Sequence, residues 1–465
     1  MLLTARWVLP ITAPPIEDGA VLVQKDQILA VGKRKELSAG KDAKCINLGD
    51  AILMPGLVNV HSHLELTVLR GTSRGQSFVP WLISLVARSR CMTEEDFQVS
   101  ATWGAVEALR AGVTCLADTT RTGASFHALH QAGLRGITYL EVFGMHGDPA
   151  AAVSPVLARL KNLKGSSTRV SIGISPHSPY TASGPLFLVV DEMARQERIP
   201  VAVHLAEAPA ESELMLSGTG EIRSRFWPYL DWPVHDWQPP ATSPVKYLDR
   251  LGVLRPGTMA VHCVQVSDDD VAILAQRGVA VAHCPVSNAY LGNGVAPLKR
   301  FLSAGIPVGL GTDSAASNDT IDLLGEIKFG FLLQKAVHGC SEGLTPARMV
   351  YMATLGGAQV LGLSDLVGSL EPGKKADLTA VQLTQVHTTP CYDPYVTLVH
   401  SARADDVVLT MVDGKVLYHN GMVFSVPESG YRKKVEELSV RLKKNHPAPT
   451  AKSQSLEGTK TGTEK

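Results

Sequence analysis

Between residues 55 and 365 short apolar, β-branched runs recur, each followed by a stretch with helical spacing. The runs are LVNVHSH (57–63), VTCLADT (113–119), GITYLEVFG (136–144), RVSIGISPHS (169–178), PVAVHLAE (200–207), TMAVHCV (258–264), GVAVAHCP (278–285) and IPVGLGTD (306–313). Segments between them, such as TWGAVEALRAG and DDDVAILAQRG, place apolar residues three and four apart, the period of one helix face. Strands alternating with helices build parallel βαβ units, and eight such units predict an α/β chain folded as a (β/α)8 TIM barrel over residues 55–365. The runs stay apolar until their C-terminal ends and then turn polar, at His61, His63, Asp118, His177, His204, Glu207, His262 and Asp313. Active sites of such barrels lie at that face, so a polar end repeated strand after strand points to a site and not to packing.

The two ends of the chain have a different texture. GAVLVQKDQILAVG (19–32) reads as a hairpin, and ADLTAVQL (376–383) and DVVLTMVDGKVLYHNGMV (406–423) read as strand runs, the latter with turns at Asp413-Gly414 and Asn420-Gly421. Strand-rich ends around an alternating middle predict one small β-sandwich module made of residues 1–54 and 366–425. Residues 426–445 predict a C-terminal helix, and the polar, aperiodic 446–465 predict a disordered tail without a role. The connection after the fifth run holds RFWPYLDWPVHDWQPP (225–240), with Trp227, Trp232 and Trp237. It reads either as a loop folded over the mouth of the site or as an apolar plug or dimer contact.

Composition narrows the partners. The 44 basic and 44 acidic residues balance, which removes the electrostatic case for nucleic acid or an anionic membrane and leaves a small neutral or mixed-charge ligand. The seven cysteines are odd in number, show no CxxC spacing and read as thiols of a reducing compartment. The N-terminus lacks a basic region ahead of its apolar residues and is interrupted by prolines, so a signal peptide is not expected. No run of about 18 apolar residues exists to span a membrane. The expected location is the cytoplasm, with homo-oligomerisation left open.

The strand ends carry the chemistry. Alternate residues of a strand share a face, so His61 and His63 are expected to converge inside the barrel on one divalent ion. His204 and Asp313 add a third nitrogen and a carboxylate oxygen. Imidazoles and a carboxylate with room for water suit a catalytic Zn²⁺, or alternatively Fe²⁺, and no cysteine has ligand spacing. Such an ion acidifies water, and Glu207, three residues past a ligand, is the candidate proton carrier, unless it is an ordinary loop carboxylate. His262 is expected to orient the water and His177 to face the substrate; a satisfied buried histidine is the competing reading for both. Asn288 reads as a substrate contact or a loop residue. Ser317, Asn318 and Asp319 read as a turn and helix cap.

Together PGLVNVHSH, VHLAE, VHC, AHCPVSNAYLGNGVAPL and GTDSAASND resemble the amidohydrolase superfamily over residues 1–425. The similar branch holds cytosine, guanine and S-adenosylhomocysteine/methylthioadenosine deaminases and triazine hydrolases. The resemblance implies one metal held by His61, His63, His204 and Asp313, with proton relay by Glu207 and His262 at the attacking water. SPHSPY is similar to the strand-four signature of adenosine-type deaminases, which implies that His177 contacts the substrate. RVSIGISPHS lacks the lysine of binuclear members, which implies a mononuclear site. His63-Leu64-Glu65 is similar to aminofutalosine deaminases, which act on a 5′-extended adenosine analogue. If the strand continued that far, Glu65 would share the histidines' face and accept from ribose hydroxyls or an amino group; a salt bridge to Arg70 or Arg74 is the competing reading. The implied activity is hydrolytic release of ammonia from an aminated heterocycle. The leading substrates are 5′-modified adenosines: aminodeoxyfutalosine, S-adenosylhomocysteine or methylthioadenosine. Triazine hydrolysis or dechlorination, guanine or cytosine deamination, and a barrel scaffold without catalysis are the alternatives.

Overall fold

The computed structural model describes residues 1–38, 40, 44–73, 75–339 and 343–445. The expected tail at 446–465 and Arg74 lie outside them. Five strands open the chain: β1 (Leu2–Val8), β2 (Ile16–Gln24), β3 (Gln27–Lys33), β4 (Cys45–Asn47) and β5 (Ala51–Pro55). Eight follow: β6 (Leu57–Ser62), β7 (Val113–Thr120), β8 (Arg135–Val142), β9 (Val170–Pro176), β10 (Val201–Leu205), β11 (Thr258–His262), β12 (Ala280–His283) and β13 (Val308–Leu310). Four close the chain: β14 (Leu378–Gln382), β15 (Val407–Val412), β16 (Lys415–His419) and β17 (Met422–Val423).

Strands β6 to β13 pair in chain order, all parallel, and a bridge from Ser62 to Asp313 brings the last strand back to the first. All eight expected runs are strands, so the (β/α)8 barrel is found. Its lower interior is filled by Val58, Val60, Ile137, Tyr139, Met259 and Val261, two from each of β6, β8 and β11. Ala358 and Leu361, from the helix Leu355–Val360 and just after it, pack against that layer. Between strands, amphipathic helices such as Glu94–Arg110 and Gly184–Glu197 turn their apolar faces to the outside of the barrel.

The remaining nine strands form one sheet in the order β17-β16-β15-β14-β5-β1-β2-β3, with β4 on β1. Both termini do combine as expected, and the join is β5, which pairs parallel to β1 and antiparallel to β14. The sheet is continuous, and it curls around its own core of Leu3, Val21, Ile28, Leu53, Leu378 and Met411. Gly56 alone separates β5 from β6; a Cβ there would lie 2.0 Å from Thr114 Oγ1, so only glycine lets the chain pass from module to barrel at this point. At the base of the barrel Arg135 grips Asp377 of the module through two bonds, Nε to Oδ2 at 2.7 Å and Nη2 to Oδ1 at 3.2 Å. The expected C-terminal helix is present as Glu428–Asn445 and packs on the helix Glu94–Arg110. No helix among the described residues is long and apolar enough to cross a membrane.

Candidate active site

Several site residues lie just beyond the strand ends, not within the strands. β6 stops at Ser62, β9 at Pro176, β10 at Leu205 and β13 at Leu310, so His63, His177, Glu207 and Asp313 are carried by the first residues of the loops. Simple alternation does not bring His61 and His63 inward, because Val58 and Val60 already fill the barrel interior. The pairing of β6 with β7 is irregular between Asn59 and Ser62, and past that break both imidazoles turn over the barrel mouth. Asp118 fixes the turn: its Oδ2 accepts from Ser62 Oγ at 2.8 Å and from Leu64 N at 2.7 Å.

The four expected ligands meet. Nε2 of His61 and of His63 lie 3.3 and 3.6 Å from Asp313 Oδ1, and His63 Nε2 faces His204 Nε2 at 3.3 Å. His61 Nε2 is buried and finds no hydrogen-bond partner among the described residues. His204 Nδ1 is 3.1 Å from the His177 carbonyl oxygen, an acceptor only, so that nitrogen bears the proton and Nε2 turns its lone pair to the cluster. Lone pairs converging without protons between them are what a divalent cation satisfies, and imidazoles with one carboxylate suit zinc or iron. Asp313 is aimed by two hydroxyls: its Oδ2 accepts from Ser287 Oγ at 2.5 Å and Ser317 Oγ at 2.9 Å, leaving Oδ1 to the histidines. Burial pushes its carboxyl up, but the facing His61, His262 and His63 outweigh that and hold it well below the usual range. Gly311 admits His61: a Cβ there would lie 2.9 Å from the His61 Cβ. Asp313 and His262 take φ of 59° and 74°, left-handed backbone that non-glycine residues accept mainly at functional sites.

Glu207 and His262 stand beside this cluster. His262 Nε2 is 3.7 Å from Glu207 Oε1. His262 Nδ1 is bound at 2.9 Å by Asn288 Oδ1, which fixes the ring and leaves Nε2 free. Asn288, expected at the substrate or in a loop, thus works through His262. Glu207 Oε1 receives Asn293 Nδ2 at 3.2 Å, and the Glu207 backbone N–H donates to Glu211 Oε2 at 2.7 Å. Burial, together with the charges of Asp313 and Glu211, pushes the Glu207 carboxyl well above the ordinary range. His262 is pushed down to about 4, mainly by burial. A buried acid raised well above its ordinary range, next to an imidazole that burial disfavours from charging, is a pair suited to moving a proton.

A cavity of about 330 Å³ opens over these groups. Trp81, Phe143, Phe226 and Trp232 give it apolar walls, and Glu65, Glu141 and His177 are polar points on them. His177 Nδ1 is held by Thr181 Oγ1 at 2.7 Å, while its ring packs on Phe143 with centroids 4.8 Å apart. The tryptophan-rich connection is a packed wall of the cavity. Trp227 is fully buried and donates to the Tyr180 carbonyl at 2.9 Å, Trp237 packs on it at 5.0 Å, and Trp232 faces the cavity.

Two expectations change. Glu65 is not on a strand but opens a 3₁₀ turn, Leu64–Leu69, and its carboxylate is consumed by the end of β7. Oε1 accepts from Arg121 N at 2.8 Å and Oε2 from Thr120 Oγ1 at 2.5 Å, with Thr122 donating through both N and Oγ1. Its loop therefore uses the acceptors that ribose would need, and Arg70 pairs with Glu107 instead. Ser317 is more than a cap residue, since it holds Asp313, whereas Asp319 does end the short helix Ala315–Asn318. Sequence reasoning missed Ser287, Asn293, Glu211 and Glu141. Only Glu141 had a local signal: it is a polar residue near the end of the third strand run, like those noticed on the others.

A family model described as the amidohydrolase family matches residues 52–417. The 5-methylthioadenosine/S-adenosylhomocysteine deaminase of Symbiobacterium thermophilum is 34% identical over 94% of this chain and 97% of its own. The protein of the same name from Moorella thermoacetica is 33% identical over 90% and 93%. Among solved structures, an adenosine deaminase from Xanthomonas campestris with bound zinc superimposes with a TM-score of 0.85 at 28% identity, over 95% of this chain and 98% of that one. An atrazine chlorohydrolase of Arthrobacter aurescens complexed with zinc shares the fold, with a TM-score of 0.82 at 23% identity over 94% and 99%.

Proposed function

The chain belongs to the amidohydrolase family, and on that premise we propose that it is a zinc-dependent hydrolytic deaminase of 5′-modified adenosines, of the 5-methylthioadenosine/S-adenosylhomocysteine class. The observation that carries this reading is the convergence of His61, His63, His204 and Asp313 beside the Glu207–His262 pair, at the floor of an apolar-walled cavity. The names of the 33–34% identical relatives support ammonia as the leaving group. The odd thiol count without CxxC spacing supports a reducing cytoplasm.

When bound, the ion supplies Lewis acidity and makes a water molecule acidic near neutral pH. The rest falls to the chain. His262, fixed by Asn288, orients the water, and Glu207 accepts its proton as the oxygen bonds to the ring carbon that bears the amine. Glu207 returns that proton to the adjacent ring nitrogen. The added hydroxyl then gives its proton, by way of Glu207, to the amine; the carbon–oxygen double bond forms as the carbon–nitrogen bond breaks, and the amine leaves as ammonia. Apolar walls stack the heterocycle and exclude bulk water, which keeps the proton between Glu207 and the ring. With its acceptors engaged by residues 120–122, Glu65 lends no support to aminodeoxyfutalosine over the other two substrates.

The test is product release from the metal-quantified protein given methylthioadenosine, S-adenosylhomocysteine, aminodeoxyfutalosine, adenosine, guanine, cytosine and a chlorotriazine. Ammonia from the first two at the highest kcat/KM is the expected result. Chloride from the chlorotriazine without ammonia from any adenosine overturns it.

A further inference from the structure

Glu141 is the penultimate residue of β8, on the face that Ile137 and Tyr139 turn into the barrel, one layer above them. Its side chain lines the catalytic cavity although the residue is only 8% exposed. It accepts no hydrogen bond among the described residues, and His177 Nε2 stands 4.0 Å from its Oε1. The contrast with Glu65 is direct. Both carboxylates line the same cavity, yet Glu65 is saturated by residues 120–122 while Glu141 keeps its lone pairs open. Burial first, and then the charge of Glu65, raise the Glu141 carboxyl well above the ordinary range, with Arg121 opposing. A fold retains a buried acceptor without donors where a ligand brings them.

We propose that Glu141 is a specificity-determining residue that accepts a pair of hydrogen bonds from the vicinal hydroxyls of the substrate's sugar. This rests on the reading of the substrate as a nucleoside. Two carboxylate oxygens match two adjacent O–H donors, and a neutral diol brings donors without altering the charge of the wall. A cationic group fits less well, because Arg121 already lines this cavity and offsets part of the charge of Glu141. What the carboxylate lacks is donors. Neighbouring His177 Nε2 then remains for the heterocycle.

The experiment compares kcat/KM of the metal-loaded wild type, Glu141→Gln and Glu141→Ala on methylthioadenosine and its 2′-deoxy and 3′-deoxy analogues. Wild type loses roughly tenfold or more on each deoxy analogue, as sites built to bind a hydroxyl do. Both variants lose activity on methylthioadenosine but little on the analogues, so the preference collapses to within about twofold. Metal content is unchanged, and the melting temperature of Glu141→Gln is no lower than that of wild type, since the substitution removes no hydrogen bond of the ligand-free fold. A merely structural residue lowers all three substrates by one factor and leaves the preference intact; that result overturns the proposal. Wild type that deaminates all three equally overturns it while sparing the deaminase reading. Wild type that releases no ammonia from any of them overturns both.

Discussion

At the scale of single residues, the account turns on which carboxylate moves the proton. The Glu207 carboxylate accepts from Asn293 and stands beside His262, and burial raises its carboxyl well above the ordinary range. Glu207→Gln keeps the shape and the Asn293 contact, so its metal content should match wild type while kcat falls about 10²–10⁴-fold, the usual worth of a general acid–base group. Metal analysis beside steady-state ammonia release checks this, and a variant within a few-fold of wild type removes Glu207 from the mechanism. The convergence of His61, His63, His204 and Asp313 was legible in the sequence because histidine and aspartate at the ends of apolar strands are rare enough to stand out. Their supports were not. Ser287 and Ser317 aim Asp313 across 26 and 4 residues of chain, and Asn288 reaches His262 from another strand's loop. Serine and asparagine are common in loops, and nothing local marks the ones that hold a ligand.

At the scale of elements, the loop after β10 carries Glu207, the proposed proton relay, and a buried carboxylate pins its backbone. Glu211, fully buried, accepts from Ala206 N at 3.0 Å and Glu207 N at 2.7 Å. Glu211→Ala strands two buried donors, each costing about 1–3 kcal/mol. Its denaturation midpoint should fall with an unchanged m-value, and kcat should fall with it because Glu207 loses its mooring. Unaltered stability and turnover would show that the loop is held otherwise. Strand existence and order were readable from alternating apolar runs and turn residues; strand ends were not. The break in β6 pairing between Asn59 and Ser62, which turns both histidines over the barrel mouth, depends on β7 and Asp118 and leaves no periodic trace. Glu65 shows the same limit: three residues past a strand end, its partner is set by the neighbouring loop, not by its own pattern.

At the scale of the whole molecule, barrel and terminal sheet are one unit joined by Gly56 and by the buried grip of Arg135 on Asp377. Asp413 joins the same cluster through its backbone N–H to Asp377 Oδ1 at 2.9 Å. Arg135→Met leaves Asp377 buried without its cation and should cost about 3–5 kcal/mol. Thermal or urea unfolding measures that loss, and a variant as stable as wild type would mean that packing alone joins the two parts. That both termini meet in one module was legible from their shared strand-rich texture; that they form a single curled sheet around β5 depends on pairings hundreds of residues apart. The proposed deaminase activity depends on one ion held by His61, His63, His204 and Asp313. The most direct measurement is ammonia release from methylthioadenosine by protein stripped with a chelator and then titrated with zinc. Activity that disappears on stripping and returns in full at one zinc per chain is the predicted result. Activity that survives stripping, or that needs two ions per chain, would contradict it.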